Sequence, residues 1–180
     1  VMSKIGFSGH PFVDHFKFLK ANTKKTAKQT IPSPSMLHYR GGRKLINMGV
    51  YPDLNDFYND LGAAYGKAVR AFGDAGCTYL QLDDVSFAYL CDPEQRKMLK
   101  DRGDDPEKQP MIYAGMINKA LESKPAGMTV SMHLCRGNYK GRWMGSGGYD
   151  RIAERLFNTK GVDAYLLDYD SERAGTFTPL

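Results

Sequence analysis

Short apolar runs alternate with longer stretches in which apolar residues recur every three or four positions, and this alternation constrains the fold more than any other feature. The apolar runs predict strands at residues 2–7, up to residue 31, and at 77–83, 128–135 and 162–168. The periodic stretches predict helices at residues 12–19, 52–75, 111–121 and 149–157. Strands that alternate with helices form a parallel sheet, so we predict an α/β protein.

Two folds are built on this alternation, the (β/α)₈ TIM barrel and the doubly wound sheet. No predicted strand is followed by a GxGxxG pattern, which disfavours a nucleotide-binding doubly wound sheet. A complete barrel typically needs about 250 residues and eight strands. This chain has 180 residues and five predicted strands. We therefore predict one domain over residues 1–180, containing about five consecutive β/α units from the central portion of a barrel.

Two connecting segments carry their own signals. Pro32 and Pro34 predict an extended, non-helical turn after the second strand, because proline fixes φ and restricts the residue before it. Residues 101–109 are charged and interrupted by glycine and proline, which predicts a surface loop.

Composition narrows the class of protein. The 42% hydrophobic and 25% charged residues are typical of a globular domain, and no apolar run approaches the ~20 residues that cross a bilayer. The first residues lack the apolar region of a secretory leader. Three cysteines without disulfide-framework spacing favour a reducing compartment, so we predict a cytoplasmic protein without a membrane partner.

The net charge of +5 is densest in one lysine-rich segment. Its members are Lys17, Lys20, Lys24, Lys25 and Lys28. No nucleic-acid motif or row of base-stacking aromatic residues accompanies it, so we predict no nucleic-acid partner. A solvated helix and loop explains the segment, and an anionic ligand is the alternative.

Polar residues collect where the predicted strands end, which is where ligands bind in parallel α/β folds. These residues are Ser33, Asp83, His133, Cys135 and Asp168. His133 and Cys135 are two positions apart, so their side chains project to the same side of a strand. Imidazole nitrogen and thiolate sulfur together suit zinc. The alternative is a buried histidine beside an inert thiol.

Four segments in order carry a family resemblance, namely TIPSPSMLH, YLQLDD, SMHLCRGN and YLLDYDSERAGTFTPL. Together they resemble the catalytic C-terminal barrel of cobalamin-independent methionine synthase, and more closely its shorter single-barrel paralogues. The resemblance covers nearly the whole chain and implies a (β/α)₈ barrel enzyme that uses zinc.

The resemblance also implies a set of zinc ligands. The family's His-x-Cys pair falls on His133 and Cys135, and its glutamate falls on Asp168, which is one methylene shorter. Asp170 and Glu172 are alternative acidic donors in the same loop. The family's last cysteine has no counterpart among the 180 residues.

Substrate-binding residues follow from the same resemblance. Asp83 matches the aspartate that contacts the amino group of homocysteine, although a role in capping a loop is the alternative. The segment that contains Ser33 and His38 matches a loop near the folate. His38 or the following Tyr39 is therefore a candidate for stacking on a flat ligand, with a packing or hydrogen-bonding role as the alternative.

The implied reaction is methyl transfer to a thiol such as homocysteine, held on zinc, from a methyl-folate or another methyl donor. The lysine-rich segment could then receive the anionic tail of a folate polyglutamate. A zinc-dependent transferase that alkylates coenzyme M with an epoxide has similar ligands and is an alternative. An inactive fragment or structural paralogue is another. The sequence does not identify a catalytic acid or base.

Overall fold

Four parallel strands form the sheet at the centre of the molecule. The computed structural model describes residues 1–169 and 171–180. The strands lie side by side in chain order and are Lys28–Pro32 (β1), Tyr79–Asp83 (β2), Thr129–Leu134 (β3) and Ala164–Leu167 (β4). The predicted α/β class with a parallel sheet is confirmed.

Helices occupy most of the connections between the strands in the described residues. They are Phe12–Ala21 (α1), Ser35–Tyr39 (α2), Leu54–Asp74 (α3), Ser86–Tyr89 (α4), Pro93–Asp101 (α5), Gln109–Leu121 (α6) and Ala153–Phe157 (α7). Single 3₁₀ turns lie at Gly42–Leu45, Tyr149–Arg151 and Glu172–Ala174. None of the described helices combines the length and apolarity that a membrane crossing requires.

The strand order restricts how the chain winds. Each new strand joins the same edge of the sheet, and right-handed crossovers then place every connecting helix on one face. A doubly wound sheet instead reverses direction and carries helices on both faces. The winding is therefore compatible with consecutive units of a TIM barrel. The described sheet is open, with β1 and β4 at its edges.

Alternation along the strands separates an apolar row from a polar one. The register aligns Ile31, Leu82 and Met132 across the sheet, and these three side chains are buried with the apolar residues of α3 and α6. Side chains one residue further along point to the other face. That face carries the aligned residues Asp83 and His133. Because the apolar row packs with the helices, the alternating polar side chains of the same strands lie on the other face and are available for chemistry.

The long helix α3 supports the sheet, and a capping residue marks its start and a glycine its end. The Asp53 side chain accepts a hydrogen bond from Asn55 N at 2.9 Å, which caps the first turn. The helix ends where Gly76 adopts φ +83°, and Cys77 N donates to Phe72 O at 2.9 Å. The predicted helix over residues 52–75 is confirmed.

The first predicted strand, residues 2–7, is wrong. The segment lies against a neighbouring loop instead of a strand: Ile5 N donates to the Tyr51 hydroxyl at 2.7 Å, and just before the segment Val1 O accepts from Asn47 N at 3.0 Å. Apolar pattern alone does not separate a strand from an apolar segment packed on a loop. The described sheet thus has four strands instead of the five predicted.

Two further expectations about the connections are also corrected. Pro34 has φ −63° and ψ −28° and precedes helix α2, so the paired prolines do not keep this turn extended. Proline suits the start of a helix because its missing N–H has no helical partner there. Helix α5 was not predicted, although Asp92 caps it by accepting from Gln95 N at 2.9 Å. The charged segment expected to form a loop begins only where α5 ends.

We predict opposite effects for two helical glycines. A Cβ at Gly62 in α3 would lie 2.9 Å from Lys119 Cβ and 3.1 Å from Met116 O in α6, whereas a Cβ at Gly115 would meet nothing within 4 Å. Gly115→Ala should raise the free energy of unfolding by about 1 kcal/mol through helix propensity. Gly62→Ala should lower it, because the helices must move apart. Denaturant unfolding of both variants measures this, and an equal gain for both would contradict close packing of α3 on α6.

Candidate functional site

The carboxyl ends of β2 and β3 bring Asp83 and His133 together. The parallel register pairs the two residues directly. Neighbouring strands lie about 4.8 Å apart, and paired side chains share a face. His133 Nδ1 contacts Asp83 Oδ1, and the two side chains are 34% and 47% exposed. The result is a carboxylate–imidazole pair that is open to solvent.

This contact decides how His133 can act. An ionised carboxylate can only accept a hydrogen bond, so a neutral imidazole in this contact has its proton on Nδ1 and its lone pair on Nε2. Histidines that bind metals usually donate their second N–H to a carboxylate in this way. Asp83 therefore orients His133 and leaves its Nε2 available as a donor atom.

Cys135 lies just beyond β3, on the same side as His133 by strand alternation. It is half-buried, whereas Cys77 and Cys91 are buried. Burial raises the pKa of the Cys91 thiol to about 11 and also raises the pKa of Cys77. Cys135 is thus the one cysteine of the three with access to a ligand.

Asp168 lies at the carboxyl end of β4, the strand next to β3 in the sheet. Its backbone N donates to Leu134 O at 3.1 Å, which extends the ladder between β3 and β4. Its Oδ2 accepts from Arg136 N at 3.2 Å and lies 3.5 Å from the Arg173 guanidinium. The carboxylate therefore helps to hold the loop that follows Cys135. Of the two alternative acids, Glu172 is exposed and Asp170 lies outside the described residues.

The donor atoms of His133 and Cys135 are of the kinds that zinc prefers, but two donors are fewer than a zinc site needs. His133 and Cys135 supply nitrogen and sulfur, which zinc prefers. Within residues 1–169 and 171–180, no three His, Cys, Asp or Glu side chains form a group able to hold a metal ion. The predicted set of His133, Cys135 and Asp168 is not assembled in this structure, and the role of each residue as a ligand stays a prediction.

A buried carboxylate that the sequence did not single out lies beneath the site. Asp84 is 0% exposed and accepts hydrogen bonds from the hydroxyls of Ser35 and Ser86 and from Phe87 N, at 2.9 Å from Ser86 and 3.1 Å from Phe87. Its own N–H donates to His133 O at 2.8 Å. Asp84 thus ties the loops after β1 and β2 to the end of β3. The signal in the sequence was an aspartate three residues before Phe87, at the start of a short helix.

The two other predicted substrate-binding residues are buried. Ser33 is 2% exposed, and its hydroxyl lies 3.3 Å from Ser35 Oγ. Its position extends the serine cluster around Asp84, and its contact with a substrate stays a prediction.

His38 lies in the core, away from the Asp83–His133 pair. It is 0% exposed, its Nδ1 is 3.0 Å from the Tyr113 hydroxyl and its Nε2 is 3.7 Å from Asp104 Oδ1. Burial lowers its pKa to about 4, against the nearby Asp104 carboxylate, which raises it. These contacts favour the packing alternative over stacking on a ligand.

Arg136 organises the loop after Cys135. Its side chain is 0% exposed, and its guanidinium donates to Gly147 O at 2.6 Å, Ala174 O at 3.3 Å and Ala88 O at 3.4 Å. The guanidinium also lies over the Tyr149 ring, 4.3 Å from its centroid. One buried side chain thus joins α4, the glycine-rich loop and the C-terminal segment.

The lysine-rich segment lies at the opposite end of the sheet. Lys28 begins β1, and Lys20 Nζ donates to Gly76 O, shortly before β2 begins. Asp83 is at the far end of β2, four steps of about 3.3 Å from its first residue. The segment therefore does not adjoin the predicted site, and the idea that it receives a substrate's tail there is not supported.

The known proteins to which this chain is similar are longer than the chain. No protein-family model matches it. The uncharacterized proteins YxjH and YxjG of Bacillus subtilis (strain 168) are 41% and 40% identical to it over 181 residues. The match covers 100% of this chain and 47% of each relative, so the chain spans about half the length of the curated relatives it matches.

One solved structure is similar in both sequence and fold. It is described as "the Putative Vitamin-B12 Independent Methionine Synthase from Listeria monocytogenes". It is 44% identical, superposes with a TM-score of 0.73, and the match covers 91% of this chain and 46% of that one. The chain thus shares the fold of about half of the Listeria protein.

We predict that His38 makes stability depend on pH. Its folded pKa of about 4 lies below its ordinary value of 6.5, so between these values the unfolded chain binds a proton that the folded chain does not. The free energy of unfolding should fall by about 3 kcal/mol from this group as pH drops from 6.5 to 4. His38→Gln should flatten that slope in denaturant unfolding at several pH values. An unchanged slope would show that folding does not lower the pKa of His38.

Proposed function

We propose that this chain forms part of the active site of a methyltransferase similar to cobalamin-independent methionine synthase. The observation that carries the proposal is the arrangement of Asp83, His133 and Cys135 at the carboxyl ends of β2 and β3. Its support comes from 44% identity to the Listeria protein named above. The reaction is transfer of a methyl group to the sulfur of a small thiol.

The proposed cofactor is zinc. Zinc lowers the pKa of a bound thiol and so keeps its sulfur as a nucleophile at neutral pH. His133 Nε2 and Cys135 Sγ are its proposed donors, because they share one side of β3 and are of the type that zinc prefers. Asp168, the next neighbour of Cys135 across the sheet, is the proposed third donor. The portion of the relatives that this chain does not span is the proposed source of the fourth.

The chain's own residues then prepare the site. Asp83 holds the Nδ1–H of His133, which fixes the ring and its tautomer. Asp84 holds the backbone of His133 from below. The position of Asp83, open to solvent, also allows its second oxygen to accept from an ammonium group of the substrate. Ser33 is proposed to shape the wall behind these groups, whereas His38 packs in the core.

The proposed substrates are small molecules in the cytoplasm. The acceptor is a thiol such as homocysteine, and the donor is a methyl-folate or another methyl compound. Methyl transfer is measured by incubating the protein with labelled methyl donors and thiols, and labelled thioether is the expected product. No product with any pair, from protein that contains zinc, would favour a structural role.

We predict that the protein purified without chelator carries about one zinc ion per chain. Cys135→Ser should abolish this zinc, because a hydroxyl is a poor substitute for a thiolate. Metal analysis by mass spectrometry measures the content. Cys77→Ser is the matched control, because Cys77 is buried and its thiol donates to Tyr79 O at 3.2 Å, a bond that serine can keep. Zinc-free protein, or equal loss in both variants, would contradict the proposed ligands.

We also predict a graded effect at Asp83. Asp83→Ala should weaken zinc binding by about 10- to 100-fold, because His133 loses the carboxylate that orients it. Asp83→Asn should weaken it less, since the amide oxygen still accepts from Nδ1–H. Competition with a coloured chelator measures both affinities. Wild-type affinity in Asp83→Ala would show that the contact with His133 does not serve the metal.

A further inference from the structure

A cavity at the amino ends of β1 and β2 lies between the turn after α1 and the turn after α3. Two lysines, three threonines, one alanine and one glycine line it. We infer that this cavity binds the phosphate group of a small molecule. The inference gives a role to part of the lysine-rich segment, and it does not depend on the proposed function.

The position of the cavity separates it from the candidate functional site. Ala27 directly precedes β1 and Thr78 directly precedes β2, and both residues line the cavity. Thr78 is five residues before Asp83 in the sequence. At about 3.3 Å for each residue of a strand, this places them roughly 16 Å apart. A ligand in the cavity is therefore held at the opposite end of the sheet from Asp83 and His133.

The lining offers hydrogen-bond donors and contains no carboxylate. Its polar side chains are those of Lys20, Lys25, Thr23, Thr26 and Thr78. An ammonium group can only donate hydrogen bonds, whereas a hydroxyl can donate or accept. The Thr23 hydroxyl accepts from Lys25 N at 3.1 Å and so keeps its own O–H for a ligand. A lining with two positive charges and three hydroxyl groups favours an anion.

The turn after α3 fixes the Lys20 ammonium group at the cavity. Lys20 Nζ donates to Gly76 O at 3.2 Å. A Cβ at Gly76 would clash with Lys20 Nζ, so the absence of a side chain there leaves room for the ammonium. The carbonyl takes one of the three N–H groups of the ammonium, and two are left for a ligand.

Neighbouring acids do not neutralise the charge of the lining. Among the described residues, neither Lys20 nor Lys25 belongs to an ion pair, whereas Lys17 lies 3.3 Å from Asp14. Asp74, the acidic residue nearest to Gly76 in the sequence, is exposed and lies outside the lining. The positive charge of the two lysines is therefore available to an anion.

The carboxyl end of α1 acts against an anion, because its last carbonyls carry negative partial charge. Asn22 covers two of them: its N donates to Leu19 O at 3.0 Å, and its side-chain amide donates to Phe18 O at 2.8 Å. A helix end is equivalent to about half an elementary charge. Two ammonium groups outweigh it.

The residue types and the volume favour phosphate among the anions. Arginine suits a planar carboxylate because its guanidinium forms two parallel bonds, whereas lysine binds phosphate as a point charge. The cavity has a volume of about 310 Å³. At roughly 30 Å³ for each water molecule, it has room for about ten. A phosphate group fills part of this space and leaves room for a short organic chain.

Isothermal titration calorimetry of the full chain at constant ionic strength measures the binding. The probes are inorganic phosphate and glycerol 3-phosphate, with malonate as a carboxylate dianion and glycerol as the neutral comparison. We expect saturable heat with both phosphates, at least about tenfold weaker binding of malonate, and no binding of glycerol. The ratio of the two phosphate affinities distinguishes the free ion from a phosphate ester.

Matched variants test the two lysines of the lining. Lys20→Gln and Lys25→Gln should each weaken binding of both phosphates by about tenfold, because each removes a charge-assisted hydrogen bond. Lys24→Gln removes the same charge from the same segment, at an exposed position outside the lining. This control should bind within about twofold of the wild type, because an exposed charge contributes little. The Lys25 ammonium makes no bond with the described residues, so Lys25→Gln should keep the wild-type stability.

The outcomes decide this inference separately from the proposed function. No saturable heat with either phosphate, equal affinity for phosphate and malonate, or equal weakening by Lys24→Gln and Lys25→Gln would overturn the site. Weakening confined to Lys20→Gln and Lys25→Gln supports the site, whether or not the protein binds zinc and transfers methyl groups.

Discussion

The register between β2 and β3 is the constraint on which the site depends. It sets Asp83 opposite His133 and fixes which side of the sheet both residues face. A shift of one residue would turn His133 and Cys135 toward the helices and bring Met132 to the other face. Burial of Leu82 and Met132 against the helices opposes that shift. The apolar core therefore determines the chemistry although it supplies none of the reactive groups.

Two buried charges flank the pair at the strand ends. Burying a charge costs free energy unless hydrogen bonds replace its hydration. Two serine hydroxyls and a backbone N–H replace water around the Asp84 carboxylate. Three backbone carbonyls and the face of the Tyr149 ring replace it around the Arg136 guanidinium. Both networks connect segments that are distant in sequence. The loops at this edge are thus held by polar contacts, whereas the sheet below is held by apolar packing.

The sequence predicted what depends on local pattern and missed what depends on distant partners. The alternation of apolar and polar residues located four strands and the long helix α3. The contact of His133 with Asp83 joins residues 50 apart and needs a strand register that no local pattern contains. His38 has a polar side chain in a segment taken for a loop, and its burial follows from aromatic residues of α3 and α6 that surround it. Residues 2–7 have the composition of a strand, but within the part of the chain that the structure describes they pair with no strand.

The hydrogen bonds from the Arg136 guanidinium to backbone carbonyls also restrict how the loop beside Cys135 can move. Because one guanidinium spans Gly147, Ala174 and the end of α4, the loop beside Cys135 cannot swing outward without also displacing the C-terminal segment. Opening would expose a charge that lies over an aromatic ring and would break several bonds at once. The loop beside Cys135 and the C-terminal segment are therefore expected to move as one unit.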